Sequence, residues 1–140
     1  MPSLTTQIPN LQFAGPLLQI KIGIPQTLKD AKAISPEPQP LEMQAMIDTG
    51  ATGTVVKSQL IETLRLNPVG VVSINTPSST GVKCNQYFVK LLLPNNVQIE
   101  ATVIAAPLKD QHIQCLIGRD ILRHGIFIYT GYINQFTLSF

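Results

Sequence analysis

Alternation of apolar and polar residues with period two dominates the chain. Leu18, Ile20, Ile22 and Ile24 alternate with Gln19, Lys21 and Gly23 until Pro25 stops the run, which is the pattern of a strand with one face in a core. Residues 26–40 carry Pro36, Pro38 and Pro40 among Lys, Asp, Glu and Gln. Proline cannot donate to a sheet ladder, so an exposed loop insertion is expected there. Extended character resumes from Leu41 to Asp48, and Gly53-Thr54-Val55-Val56 reads as a further short strand. Between Ser58 and Leu66 the period changes to that of a helix. Leu60, Ile61 and Leu64 share one face, Ser58 is the expected N-cap, and Asn67-Pro68 is the stop.

Strands return over 70–76 and 82–93, joined by Pro77-Ser78-Ser79-Thr80-Gly81 as a hairpin tip. Pro94-Asn95-Asn96 turns the chain, and Val97, Ile99, Ala101 and Val103 alternate with polar residues in the returning strand. Leu116 to His124 reads as a buried segment that runs through Gly118 into a short helix. Residues 125–135 suggest an extra hairpin. Phe136, Leu138 and Phe140 then alternate with Thr137 and Ser139 in a last strand. The expected fold class is all-β with one or two short helices.

Composition narrows the function classes. A chain of 140 residues fits one domain that can bury a core without disulfides or metals. Hydrophobic residues make up 44% and charged residues 13%, yet no apolar run approaches the roughly 20 residues of a spanning helix. The first residues lack the basic start and apolar stretch of a secretory signal, so a cytoplasmic location is the default expectation. The net charge of +2 is scattered and aromatic residues are only 6%, so the footprint of a nucleic-acid binder is missing. Cys84 and Cys115 lie in apolar contexts without Cys-x-x-Cys spacing, and free buried thiols are expected. His112 and His124 have no neighbour at ligand spacing, so neither a metal site nor a cofactor is expected.

The candidate chemistry lies in Met46-Ile47-Asp48-Thr49-Gly50-Ala51-Thr52. An apolar strand delivers Asp48 to a turn beside the core, where losing water raises the cost of charge. Gly50 leaves room for close backbone approach and offers an N–H that no side chain covers. There is one such turn. Tyr129-Thr130-Gly131 repeats the Thr-Gly but has no Asp.

Together with Cys115-Leu116-Ile117-Gly118-Arg119-Asp120-Ile121-Leu122, about seventy residues further on, this turn resembles the paired signature of the retropepsin-like aspartic proteases. The helix at 58–66 is more like the bacterial and cellular branch of that family than the retroviral one. The resemblance covers roughly residues 16–140, leaving 1–15 as an amino-terminal extension. It implies a closed β-barrel, a single lobe that dimerises, and an aspartic endopeptidase acting on extended polypeptide. In the homodimer Asp48 from each of two subunits would activate a water. Thr49 would lock the two active-site loops together, and Gly50 would orient the carboxylate and meet substrate backbone. Ala51 stands where some relatives have a serine hydroxyl against the carboxylate, an absence expected to move the useful pH upward toward mildly acidic. Ile117, Gly118 and Arg119 would support the loop from behind.

The stretch 72–83 would be a flap over the substrate, with Thr76, Ser78, Ser79 and Gly81 as its binding residues and Pro77 stiffening its tip. Val55, Val56, Ile74 and Val103 are expected to line the pockets. Retroviral enzymes pair the arginine of the second motif with an Asp where this chain has Thr52, so Asp120 or Glu62 is expected to take its place beside Arg119. Two other readings stay open: a catalytically inactive peptide-binding module on the same fold, and a structural dimerisation domain.

Overall fold

The computed structural model describes residues 2–76, 79–109 and 112–140, the Thr76 side chain excepted. Among the described residues ten strands and four short α-helices follow one another, with a 3₁₀ turn at Gly131–Ile133. They are β1 (Ser3–Gln7), α1 (Leu11–Ala14), β2 (Leu17–Gly23), α2 (Gln26–Asp30), β3 (Leu41–Ile47), β4 (Val55–Lys57), α3 (Ser58–Thr63), β5 (Gly70–Thr76) and β6 (Ser79–Leu93), then β7 (Val97–Ala106), β8 (Cys115–Ile117), α4 (Arg119–Leu122), β9 (Ile126–Thr130) and β10 (Gln135–Ser139).

The larger sheet runs β2-β3-β8-β4-β7-β6 and closes where β2 returns to β6 through Lys21↔Leu92, Ile22↔Leu91 and Gly23↔Lys90. The result is a closed barrel of six strands, with β5 added as the outer arm of a long hairpin on β6. Closure removes the edges that an open sheet would leave unpaired. Each strand follows the alternation of its residues. Leu18, Ile20 and Ile22 of β2, Met43, Ala45 and Ile47 of β3, Val89, Leu91 and Leu93 of β6, and Cys115 and Ile117 of β8 are all buried in one core. At the β6–β7 turn Asn95 and Asn96 both adopt left-handed backbone, φ 62° and 61°, a conformation asparagine tolerates well.

A second sheet of three strands, β1-β10-β9, is antiparallel throughout. It docks on the barrel through Phe136 and Leu138, both buried in the common core. Within residues 2–15, β1 pairs with β10 from Ser3↔Ser139 to Gln7↔Gln135, and Leu11 of α1 is fully buried.

Two local expectations change. Ser58 is the first helical residue of α3 and not its cap: Lys57 holds the N-cap position and no side chain caps it. The helix also ends before Leu66, because Arg65 adopts a left-handed φ of 56° and its guanidinium donates to the carbonyls of Ser35 and Pro36. The loop at 26–40 begins with a helical turn, α2, whose first N–H donates to the Glu100 carboxylate at 2.7 Å.

Candidate active site

Asp48 sits at the end of β3, where the parallel pairing with β8 runs out. Its N–H donates to the Ile117 carbonyl at 2.9 Å, and its own carbonyl accepts the Ala51 N–H at 3.1 Å, which closes the turn. The Gly50 N–H donates to Asp48 Oδ1 at 2.9 Å. Asp48 Oδ2 accepts no hydrogen bond among the described residues. One oxygen is thus fixed by backbone, with Asp48 half-buried and Thr49 and Gly50 exposed beside it. A Cβ on Gly50 would stand 3.1 Å from Asp48 Oδ1, so glycine is what leaves the carboxylate uncrowded.

The second motif holds this turn from behind. The first two N–H groups of α4 have no partner within their own helix. They donate to the turn instead: Arg119 to the Ala51 carbonyl at 2.9 Å and Asp120 to the Thr52 carbonyl at 3.2 Å. Gly118 is buried where the chains cross, and a Cβ there would lie 2.7 Å from the Gly53 carbonyl carbon and oxygen. The Arg119 guanidinium reaches the Thr49 carbonyl at 2.6 Å and Thr52 Oγ1 at 3.2 Å. Its partners are therefore neither Asp120 nor Glu62. Asp120 faces the barrel and is already engaged, while Glu62 is exposed on α3.

A residue unmarked in the sequence motifs ties the two segments together. Thr54 is fully buried. Its Oγ1 accepts the Gly118 N–H at 3.0 Å and donates to Asp120 Oδ1 at 2.8 Å, while its N–H donates to Asp120 Oδ2 at 3.1 Å. Thr54→Val removes the hydroxyl and strands the Gly118 N–H in the core. We expect a loss of about 1–3 kcal/mol in denaturant unfolding, with Thr54→Ser close to the parent. The Asp120 charge also bears on Cys115: burial first, and that carboxylate second, push the Cys115 thiol up to about 12 from 9.0. With both cysteines buried, the folded chain should resist thiol reagents near pH 8 and react once unfolded. The thiolate is the reactive form. The sign for stability follows: the folded state holds its proton while the unfolded thiol ionises, so this group costs stability as pH rises from 9.0 toward about 12.

β5 and β6 form a hairpin with Thr76↔Ser79 as the last described pair, and the register shifts between Ile74 and Thr76. Gly81 takes φ 68°, and its N–H donates to Asn75 Oδ1 at 3.0 Å. Asn75, not singled out by sequence, therefore braces the hairpin near its tip. Ser78 and Pro77 lie outside the described residues. Two expected pocket residues are corrected: Val56 and Val103 are fully buried in the barrel core and line no groove, whereas Val55 and Ile74 are partly buried. A cavity of about 540 Å³ between β2 and the β6–β7 turn, lined by Ile20, Glu42, Leu93 and Val97, does not include Asp48. Among the described residues no three His, Cys, Asp or Glu side chains converge as metal ligands.

Comparison with known proteins agrees with this geometry. A family model described as aspartyl protease matches residues 39–121, more than half of the chain, from before the Asp48 turn into α4. A retropepsin-like aspartic protease from Rickettsia conorii is similar in structure, with a TM-score of 0.60 at 13% identity over 99% of this chain and 91% of the other. A foamy viral protease–reverse transcriptase, solved with an RNA/DNA hybrid, is similar with a TM-score of 0.50 at 21% identity over 78% of this chain and 12% of that one. Comparison with curated proteins finds no match. The chain therefore belongs to the aspartyl protease family, and its closed barrel is a retropepsin-like fold.

Proposed function

We propose that the chain is an aspartic endopeptidase whose active site forms when two copies bring their Asp48 turns together. The observation that carries this reading is the presentation of Asp48: a turn laced to α4 by backbone bonds, with one carboxylate oxygen fixed by Gly50 and the other accepting no hydrogen bond among the described residues. A single carboxylate cannot serve as both acid and base in one step. Two of them a few ångströms apart share one proton, because like charges that close do not both ionise readily.

The ionised member takes a proton from a bound water as the water oxygen attacks the scissile carbonyl carbon, and the protonated member donates to the carbonyl oxygen. The tetrahedral intermediate collapses as the C–N bond breaks and a proton passes to the leaving amine. No covalent enzyme intermediate and no cofactor is required. In this reading Thr49 and Gly50 meet the partner's loop and the substrate backbone, which their exposure beside Asp48 supports, and an extended peptide lies along the β5–β6 hairpin.

Incubation of the purified chain with unfolded protein and a peptide library, from mildly acidic to neutral pH, tests the proposal. Internal cleavage of extended substrates is expected. A chain that binds peptides across that range without cutting them would instead be a binding module.

A further inference from the structure

We infer that the two copies meet along the free edge of β9, with Tyr132 and Phe13 extending the contact, and not by exchanging their terminal strands. The inference rests on the proposed pairing of Asp48 turns and names the surface that brings it about.

The terminal strands are already committed within one chain. β1 and β10 pair over their whole length. The pairing continues beyond both ends, where the Phe140 N–H donates to the Pro2 carbonyl at 3.0 Å and the Ile8 N–H to the Asn134 carbonyl at 2.9 Å. Hydroxyls pair across the seam as well: Ser3 with Ser139 and Thr5 with Thr137, each at 2.9 Å. β10 has β9 on its other side, so no partner strand can enter there. The outer edge of β1 is bracketed by Pro2 and Pro9, and Asn95 Nδ2 donates to the Ser3 carbonyl at 2.8 Å.

Among the described residues, no strand pairs with the outer edge of β9. Natural edge strands are usually blunted by lysine, proline, a bulge or a covering loop. Ile126-Phe127-Ile128-Tyr129-Thr130 carries no charge and no proline, and Ile126 and Ile128 are 50% and 52% exposed. Directly after it comes Tyr132, 88% exposed. Asn134 then accepts the Leu11 N–H at 3.1 Å, which sets α1 and its Phe13, 84% exposed, against the same turn. Exposed apolar side chains thus occur in β9, in the turn after it and in α1, which is hydrogen-bonded to that turn.

A second copy is the occupant this surface fits. An antiparallel edge is complementary to itself about a two-fold axis, and an uncharged strand meets its own copy without repulsion. Arg123 and His124, just before β9, would sit at opposite ends of the paired strands. A five-residue strand alone falls short of the roughly 800 Å² per partner of a stable interface, and Phe13 and Tyr132 supply further area. The edge is also coupled to the chemistry: α4 leads into β9 through Arg123–Gly125, and its Arg119 holds the Thr49 carbonyl of the Asp48 turn.

Two variants test this by sedimentation velocity, non-reducing electrophoresis and peptide cleavage. Ile128→Lys, at an exposed position, should keep the parent's fold, read by circular dichroism, while weakening the dimer at least about a hundredfold and losing activity in parallel. Thr5→Cys with Thr137→Cys, directly opposed residues, should oxidise to a disulfide within one chain and remain dimeric and active. An interchain disulfide in the second variant, or an unweakened dimer in the first, overturns the β9 interface while leaving the two-chain active site intact. A parent chain that is monomeric and inactive at every concentration overturns both.

Discussion

Asp48→Asn is expected to lower peptide cleavage by about a thousandfold or more, since general acid–base catalysis contributes about 10²–10⁴-fold and the substitution removes the only such group at the turn from both subunits. The fold should persist. Asn keeps an oxygen that can accept the Gly50 N–H, and that is the one hydrogen bond the Asp48 side chain accepts among the described residues. Unfolding stability is therefore expected within about 0.5 kcal/mol of the parent, and the dimer should survive. This pairing of a large catalytic effect with a negligible structural one separates a reacting carboxylate from a structural one. The parent's rate should also follow a bell-shaped pH profile, since the dyad works only while it holds a single proton. Unchanged cleavage by Asp48→Asn would place the chemistry elsewhere.

Gly118→Ala should act in the opposite sense, through structure first. The added Cβ would meet the Gly53 carbonyl carbon and oxygen at 2.7 Å and the Ala51 carbonyl oxygen at 3.0 Å. All of these are backbone atoms, so no side chain can swing aside and the two segments must separate. Overpacking of this kind costs about 1–3 kcal/mol, occasionally more. The separation also lengthens the bonds from the Gly118 N–H to Thr54 and from the Arg119 N–H to Ala51. Both stability and cleavage should fall, the first by about 3 kcal/mol in urea unfolding. Preserved stability with preserved activity would mean that the crossing does not position the turn.

The barrel strands were legible because each buries one face, so the burial pattern is written as alternation: Leu18, Ile20 and Ile22, or Phe136 and Leu138, mark their own sides. β1 was not legible. Ser3-Leu4-Thr5-Thr6-Gln7 has a single strongly apolar residue, and its strand character comes from hydroxyl and backbone pairing with residues at the far end of the chain. The Asp48 turn and the Gly118 segment stood out as motifs. Thr54 did not, because its partners are Asp120 and Gly118 and nothing in its immediate neighbours signals a buried hydroxyl. The partner of Arg119 is hidden in the sequence for a related reason: its charge suggests a carboxylate, whereas the guanidinium is satisfied by a carbonyl and a hydroxyl of the turn itself. α3 ended early because Arg65 left the helix to bond a loop thirty residues back.

The central claim is that each chain supplies half of one active site, and subunit mixing measures it most directly. Parent chain at fixed concentration is equilibrated with a tenfold excess of Asp48→Asn chain and assayed on a peptide substrate. If two Asp48 carboxylates are needed, parent chains are drawn into one-carboxylate dimers and activity falls to about one-tenth, as random pairing requires. Activity that stays at the level of the unmixed parent would contradict the account.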